Sequence, residues 1–286
     1  MPYEPILKPG HNCWLEARAD RLSVLVDGAA YFAAFASAIR QARHSILILG
    51  WDIDPRIELW REAGEQSPPV DPALEGLPRT LAELLNRVVC SRRGLHAHVL
   101  TWDFNPIYRL EREPLVRYKL GWRTRRRLHL RLDGDHPPGA SHHQKLVVID
   151  DRVAFVGSLD LTRARWDTPA PAAHDPRCVD LPGDAYAALD GTAPAALDGT
   201  ALQGTAWSGM MGVIEGEAAA RLGDLARERW FRATGRQLVP PPPREDSPWP
   251  FGVDPDLRDV PVGFARTDPG SDARPAVNEV ERLYVD

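Results

Sequence analysis

The residues best suited to chemistry lie in one short stretch near the middle of the chain. His143 and Lys145 are two positions apart, and Asp150, Gly157 and Ser158 follow in a pattern that can be written H-x-K-x4-D-x6-G-S. A neutral imidazole is a nucleophile, and an ammonium is a fixed positive charge. A hydroxyl and an amide beside a glycine can donate hydrogen bonds to an oxyanion. This set of groups suits attack on a phosphodiester.

Two apolar runs predict how these groups are positioned. Residues 146–149 and 153–156 are short and rich in β-branched side chains, and polar residues separate them, starting at Asp150. The segment is therefore predicted to form a β-hairpin. Side chains two apart in a strand share a face, so His143 and Lys145 are expected to converge. Asp150 has the opposite parity and lies at the turn, so it is expected not to touch a substrate.

The pattern resembles the HKD motif of the phospholipase D superfamily. The sequences GSLDL at 157–161 and RWDTP at 165–169 are similar to two further stretches of its phospholipase branch. Many nuclease-like members carry Asn where this chain has Asp160. The resemblance therefore favours an enzyme that acts on phospholipid head groups, by hydrolysis or by transphosphatidylation. It covers nearly the whole chain apart from residues 182–205.

The resemblance also implies roles for individual residues. In the superfamily the motif His attacks phosphorus and forms a phosphohistidine, and a second motif His protonates the leaving group. By resemblance the catalytic set is His143, Lys145 and Asp150, with Asp150 in a structural role. The residues implied to bind substrate are Gly157, Ser158, Asp160, Trp51 and Asp52. No cofactor and no metal are implied.

The order of elements before the motif predicts the fold class. Apolar runs at 22–26 and 45–49 indicate strands, and the periodicity of 29–43 indicates a helix between them, which makes a βαβ unit. A further helix is predicted at 80–90 and a strand at 95–102. With the resemblance, the expected fold is α/β, a phospholipase D-type mixed β-sheet flanked by helices in an α-β-α sandwich.

Two predicted strands end in the same pair of residues. Trp51 and Asp52 follow the strand at 45–49, and Trp102 and Asp103 end the next one. Ligands of α/β sheets usually lie at the carboxyl ends of strands, so the two pairs are expected on one rim. Alternatively, Asp52 caps the turn that follows it.

Two other groups of residues have alternative interpretations. His96 and His98 share a strand face, but as a metal pair they lack further ligands at suitable spacing. Arg123, Arg125 and Arg127 would share a face if their segment is a strand, and would attract a phosphate-rich or anionic-membrane partner. The alternative is a solvated edge strand whose charges discourage aggregation.

Composition excludes several classes of protein. The 286 residues carry a formal net charge of -5 with a pI near 6.0, so a nucleic-acid partner is not expected. Cys13, Cys90 and Cys178 are odd in number and far apart, which suggests neither disulfides nor a zinc site. No signal peptide or long apolar stretch is found. A cytoplasmic location is predicted, with peripheral binding to an anionic membrane surface left open.

The chain departs from the superfamily where the nucleophile should be oriented. A strand close to WHDxH normally carries an Asp that stabilises the positive imidazole, as the third member of a catalytic triad does. Here Ser208 and Gly209 stand in place of its His and Asp. Either Asp160 or Asp175 substitutes, or His143 is poorly activated.

The chain is predicted to be one half of a two-motif protein. Residues 1–235 form the half with one HKD motif, and the small-residue repeat at 182–205 is a flexible insertion. Residues 236–286 are a Pro-rich linker and the start of a missing second half. That half would be supplied covalently in a longer protein or by a homodimer partner. The alternatives are a nuclease-like phosphodiesterase active as a homodimer and an inactive half-domain or truncated protein.

Overall fold

The computed structural model describes residues 5–61, 67–103, 126–137, 140–162, 165–166, 168, 209–270 and 274–285. Its main sheet contains β1 (Leu15–Val26), β2 (Ser45–Gly50), β3 (His96–Trp102), β4 (Leu128–Asp133), β5 (Lys145–Ile149), β6 (Val153–Gly157), β7 (Met210–Glu215) and β8 (Leu257–Phe264). The helices are α1 (Asp27–Arg40), α2 (Leu81–Ser91), α3 (Glu217–Thr234) and α4 (Glu279–Val285), with a 3-10 turn at Pro72–Leu74. A small ribbon pairs β9 (Thr267–Asp268) with β10 (Val277–Asn278).

The order of strands in the eight-stranded sheet is β4-β3-β2-β5-β6-β7-β1-β8. Strands β2, β3 and β4 are parallel, and every other pair of neighbours is antiparallel. The carboxyl ends of β2, β3 and β4 therefore lie at the same edge as the amino end of β5, and we call this the motif edge. The mixed sheet flanked by helices confirms the predicted α/β fold class.

Helices cover both faces of the sheet. On one face, Tyr31 and Phe35 of α1 pack against Phe155 of β6, with ring centroids 5.7 and 6.4 Å from it. On the other face α3 packs against the opposite side of β5. Strand alternation makes this possible, because Val147 belongs to the α1 side and Leu146 to the α3 side. The burial of each such large side chain contributes roughly 1.5–3 kcal/mol.

The helix ends follow local sequence. Helix α1 begins at Asp27, which has a φ of 65°. Helix α3 ends at Gly235, whose left-handed backbone (φ 68°) caps the helix, and its N–H bonds the carbonyl of Phe231 at 2.7 Å. Among the described residues, no helix combines the length and apolar character needed to cross a membrane.

The segment predicted as a linker packs onto the sheet domain. Arg244 is buried against Asp150, and the N–H of Phe251 donates to the Ser37 hydroxyl at 3.0 Å. Residues 257–264 then pair with β1 as the last strand of the sheet. A boundary at residue 235 would separate this strand from its sheet, and the division into two units stays a prediction. The repeat at 182–205, together with Arg123, Arg125 and Cys178, lies outside the described residues.

Candidate active site

The motif forms the predicted β-hairpin. Strands β5 and β6 pair from Lys145 opposite Gly157 to Ile149 opposite Val153. Lys145 and Gly157 therefore meet at the motif edge. A side chain at Gly157 would bring its Cβ within 2.2 Å of the Met210 carbonyl oxygen, so the close approach of β7 requires glycine here.

Lys145 is buried and held by Asp160. The Lys145 Nζ lies 3.1 Å from Asp160 Oδ2, and both side chains are about 5% exposed or less. The same Nζ donates to the carbonyl of His143 at 3.2 Å. Burial lowers the pKa of the Lys145 ammonium, and Asp160 offsets only part of that shift. A fixed positive charge in a water-poor position is the group that a phosphoryl oxygen requires.

Asp160 also joins this pair to the end of β2. Its Oδ1 accepts from the N–H groups of Trp51 at 2.9 Å and Asp52 at 3.3 Å. Asp52 accepts from the N–H of Ile53 at 2.8 Å, as a turn cap does, and its charge also acts on Lys145. Asp52 therefore caps the turn that follows it and also lies close enough to act on Lys145. Its binding of substrate stays a prediction. Asp160 contacts Lys145, so its predicted contact with substrate stays a prediction.

His143 is exposed at the motif edge, beside two tryptophans. Its ring meets Trp51 edge-on, with centroids 6.3 Å apart, and Trp51 stacks on Trp102 at 5.8 Å. The expectation that the two Trp-Asp strand ends share one rim is thus confirmed. Trp102 Nε1 donates to His136 Nε2 at 2.9 Å. The motif edge therefore presents an exposed imidazole two residues from a buried ammonium.

Asp150 lies at the far end of β5. Its carboxylate accepts from the N–H groups of Arg43, His44 and Ser45, each at 2.7 Å, and from Arg244 at 2.6 Å. The length of β5 separates it from Lys145 by about 16 Å. This position corrects the inclusion of Asp150 in the catalytic set and agrees with the structural role expected from its parity. The aspartate fixes the α1–β2 junction and the hairpin turn.

Ser158 contacts β7. Its N–H and hydroxyl donate to the Met210 carbonyl at 3.0 and 3.2 Å, and its oxygen accepts from the Met210 N–H at 3.1 Å. The residues predicted to donate to an oxyanion thus have a protein acceptor in this structure. Phosphate binding by Gly157 and Ser158 stays a prediction, and it requires the hydroxyl of Ser158 to turn.

Comparison with known proteins shows which proteins the chain is similar to. No protein-family model matches the chain. Phospholipase D B of Dictyostelium discoideum is 29% identical over 175 residues, which are 57% of this chain and 13% of that protein. Phospholipase D zeta 1 of Arabidopsis thaliana is 33% identical over 171 residues, which are 56% of this chain and 14% of that protein. The chain is thus similar to phospholipases D over about half of its own length.

These matches span only a small part of the superfamily relatives, 13% and 14% of their lengths. Among solved structures, a phospholipase D family member, Nuc from Salmonella typhimurium, is similar with a TM-score of 0.38 and 15% identity. That similarity covers 76% of this chain and 98% of Nuc.

Gly209, which stands where the superfamily pattern has an aspartate, is hydrogen-bonded to Asp27 of α1. The Gly209 N–H donates to Asp27 Oδ1 at 3.1 Å, and the Asp27 N–H donates to the Gly209 carbonyl at 2.8 Å. A buried carboxylate from α1 thus lies beside the position where superfamily members carry their orienting aspartate. Sequence reasoning did not place Asp27 at the site, because this residue lies between the predicted strand at 22–26 and the predicted helix at 29–43. Ser208 and Asp175 lie outside the described residues.

A second polar group that sequence reasoning missed lies on the α3 side of the motif edge. Arg229 of α3 forms an ion pair with Asp133 at the end of β4 and donates to Gln144 Oε1 at 3.1 Å. His142 Nε2 lies 3.3 Å from Asp133 Oδ1. The sequence contained one indication of this polar group: Asp133 follows Asp52 and Asp103 as a third acidic residue at the end of a strand.

Histidines from two strands stack beneath α3. The His98 and His129 rings lie 4.7 Å apart, and His96 stacks at 6.2 and 5.8 Å from them. Trp230 of α3 meets His98 edge-on at 4.8 Å. Across the described part of the chain, no group of three or more His, Cys, Asp or Glu residues is arranged to hold a metal ion.

Proposed function

We propose that this chain is a catalytic half of a phosphodiesterase that acts on phospholipids. The observation that carries the proposal is the pair at the motif edge, where the exposed His143 lies two residues before Lys145, a buried ammonium held by Asp160 that also donates to the His143 carbonyl. The similarity to phospholipases D of two eukaryotes supports the same class of reaction. Hydrolysis and transphosphatidylation share the first chemical step.

In the proposed reaction, an imidazole nitrogen of His143 attacks phosphorus. A P–N bond forms as the bond to the head-group oxygen breaks, and that oxygen takes a proton as it leaves. Lys145 stabilises the charge on the phosphoryl oxygens. Water or an alcohol then attacks the phosphohistidine, gives up its proton, and releases His143 with either phosphatidic acid or a new phosphodiester.

The departing oxygen needs a proton donor on the far side of phosphorus, and in the second step the same group activates water. His143 cannot be nucleophile and acid in one step. His142, its neighbour, contacts Asp133 on the α3 side of the sheet. We propose that a second motif-bearing half, covalent or in a homodimer, supplies the acid. A leaving group that needs no proton should make the first step independent of that partner.

The experiment is to trap the phosphoenzyme with such a substrate. Phosphatidyl-p-nitrophenol labelled in its phosphate is mixed with the chain, and the protein is denatured. We expect an acid-labile, base-stable label on the wild-type chain and on a His44→Ala control, and none on His143→Ala. Label retained by His143→Ala would overturn the assignment. Faster labelling by a nucleoside p-nitrophenyl phosphodiester would favour the nuclease-like alternative.

A further inference from the structure

The two neighbours of His143 share one buried anchor. His142 and Gln144 contact the ion pair that Arg229 of α3 makes with Asp133 of β4. We propose that this ion pair is a positioning device for the nucleophile, which sets the backbone of His143 without touching substrate. The catalytic part of this inference rests on the proposed function.

The geometry of the loop gives the anchor its effect. Residues 141–144 precede β5 and lie outside the strand, so side-chain contacts have to fix their path. His142 and Gln144 are held from the α3 side, where Arg229 donates to Gln144 at 3.1 Å. From the other side Lys145 donates to the carbonyl of His143 at 3.2 Å. The backbone of His143 is thus fixed from both faces of the sheet, and its ring lies at the rim.

The anchor is rigid because both of its charges are buried. The side chains of Asp133 and Arg229 are 2% and 6% exposed. Burial raises the pKa of Asp133, but His142 and Arg229 outweigh it and bring that pKa to about 2. The aspartate therefore stays ionised at neutral pH. It also accepts from the N–H of Asp135 at 3.1 Å, which fixes the turn after β4.

A second ion pair on the same helix provides a matched control. Arg227 of α3 pairs with Asp151 in the β5–β6 turn at 2.8 Å, and these side chains are 10% and 15% exposed. This pair also joins α3 to the hairpin, but at the end remote from His143. If both ion pairs only stabilise the fold, their removal should have similar effects on activity. If the inference is right, only removal of the pair of Asp133 and Arg229 should impair the nucleophile.

The test compares two double variants, each of which removes an ion pair without leaving one buried charge. They are Asp133→Leu with Arg229→Met, and Asp151→Asn with Arg227→Met. With phosphatidyl-p-nitrophenol we expect the first variant to lose about 10²-fold in kcat, as for a displacement of about 1 Å at a reacting group, with KM within about twofold. The second should keep both constants. Equal losses in the two variants would overturn the inference.

A second measurement does not need activity. The His143 imidazole is followed by NMR of 13C-labelled histidine, with the resonance assigned by His143→Gln. We expect the resonance of His143 to shift and broaden in the Asp133/Arg229 variant and to stay unchanged in the Asp151/Arg227 variant. An unchanged resonance in both would overturn positioning. If the wild type makes no phosphoenzyme but the selective shift is found, the proposed function fails and the positioning inference stands.

Discussion

Burial lowers the pKa of the Lys145 ammonium, and the carboxylate of Asp160 offsets part of that shift. If the ammonium binds the phosphoryl group, activity should fall as pH rises through the pKa of Lys145. Asp160→Asn removes the offsetting carboxylate, so that pKa should fall further and activity should decline at a lower pH than in the wild type.

The measurement is the pH profile of the first step with a p-nitrophenyl substrate. Asp54→Asn is the matched control, because Asp54 lies in the turn after β2 that Asp160 contacts, and its own partner is Arg56, at 3.0 Å. An identical decline in wild type and Asp160→Asn would remove Lys145 from phosphate binding.

Gly209 stands where the superfamily pattern has an aspartate, and its surroundings are crowded. A Cβ there would lie 2.5 Å from Leu159 Cδ2 and 3.0 Å from the Ser158 hydroxyl. We expect Gly209→Ala to lower the free energy of unfolding by about 1–3 kcal/mol through overpacking. The cost should be smaller in a Leu159→Ala background, because the two positions are coupled.

Urea unfolding of the single and double variants gives this coupling. Gly94→Ala is the control, since a Cβ at Gly94 has no atom within 4 Å. A change below about 0.5 kcal/mol in Gly209→Ala would show that the Leu159 side chain moves aside at little cost, and would contradict overpacking at this position.

At the scale of elements, α3 packs on a layer of neutral histidines. Burial, and after it His129 and His96, lowers the pKa of His98 to about 3, and Arg131 acts in the same direction. Arg127 and Arg236 add positive charge around the other two rings. Protonation of this layer would place positive charges against one another beneath Trp230.

The unfolded chain binds a proton at His98 near pH 6.5, whereas the folded chain does so only near 3. Stability should therefore be full above pH 6.5 and fall as pH drops, by up to about 1.4 kcal/mol per pH unit from this group. Chemical unfolding at pH 7 and pH 5 measures it. His98→Phe should reduce the difference between the two pH values, and a difference equal to that of the wild type would contradict this account.

Most elements near the site could be predicted, because their residues alternate or repeat with the period of a strand or helix. Strand β8 could not, since Leu257–Phe264 is an edge strand with many exposed residues and with Pro261 in its middle. Proline is tolerated at a sheet edge, where its missing N–H has no partner to lose. The HKD spacing predicted the hairpin, which is confirmed, whereas the shared face of His143 and Lys145 stays a prediction because His143 precedes the strand. The contacts of Asp133 with Arg229 and of Asp27 with Gly209 were not predictable, because these partners lie far along the chain.

At the scale of the whole molecule, the proposed mechanism takes one nucleophile from the single motif and requires an acid from a second half. We expect the isolated chain to hydrolyse natural phospholipids very slowly, even where it cleaves p-nitrophenyl esters. Phosphodiesterase activity is measured against protein concentration, alongside sedimentation. Activity that rises with the square of concentration would indicate a homodimer, and a fully active monomer would contradict the need for a second half.

The ion pair of Asp150 with Arg244 bears on the order in which the chain can fold during synthesis. Asp150 is fully buried, and the guanidinium that neutralises it is 94 positions later in the chain. Until that residue and β8 have emerged from the ribosome, the hairpin turn holds a buried charge without its cation, and the outer side of β1 is an unpaired edge that can aggregate. A chain stopped at residue 235 should therefore be far more sensitive to protease than one that extends past Phe264, although both contain every residue of the motif.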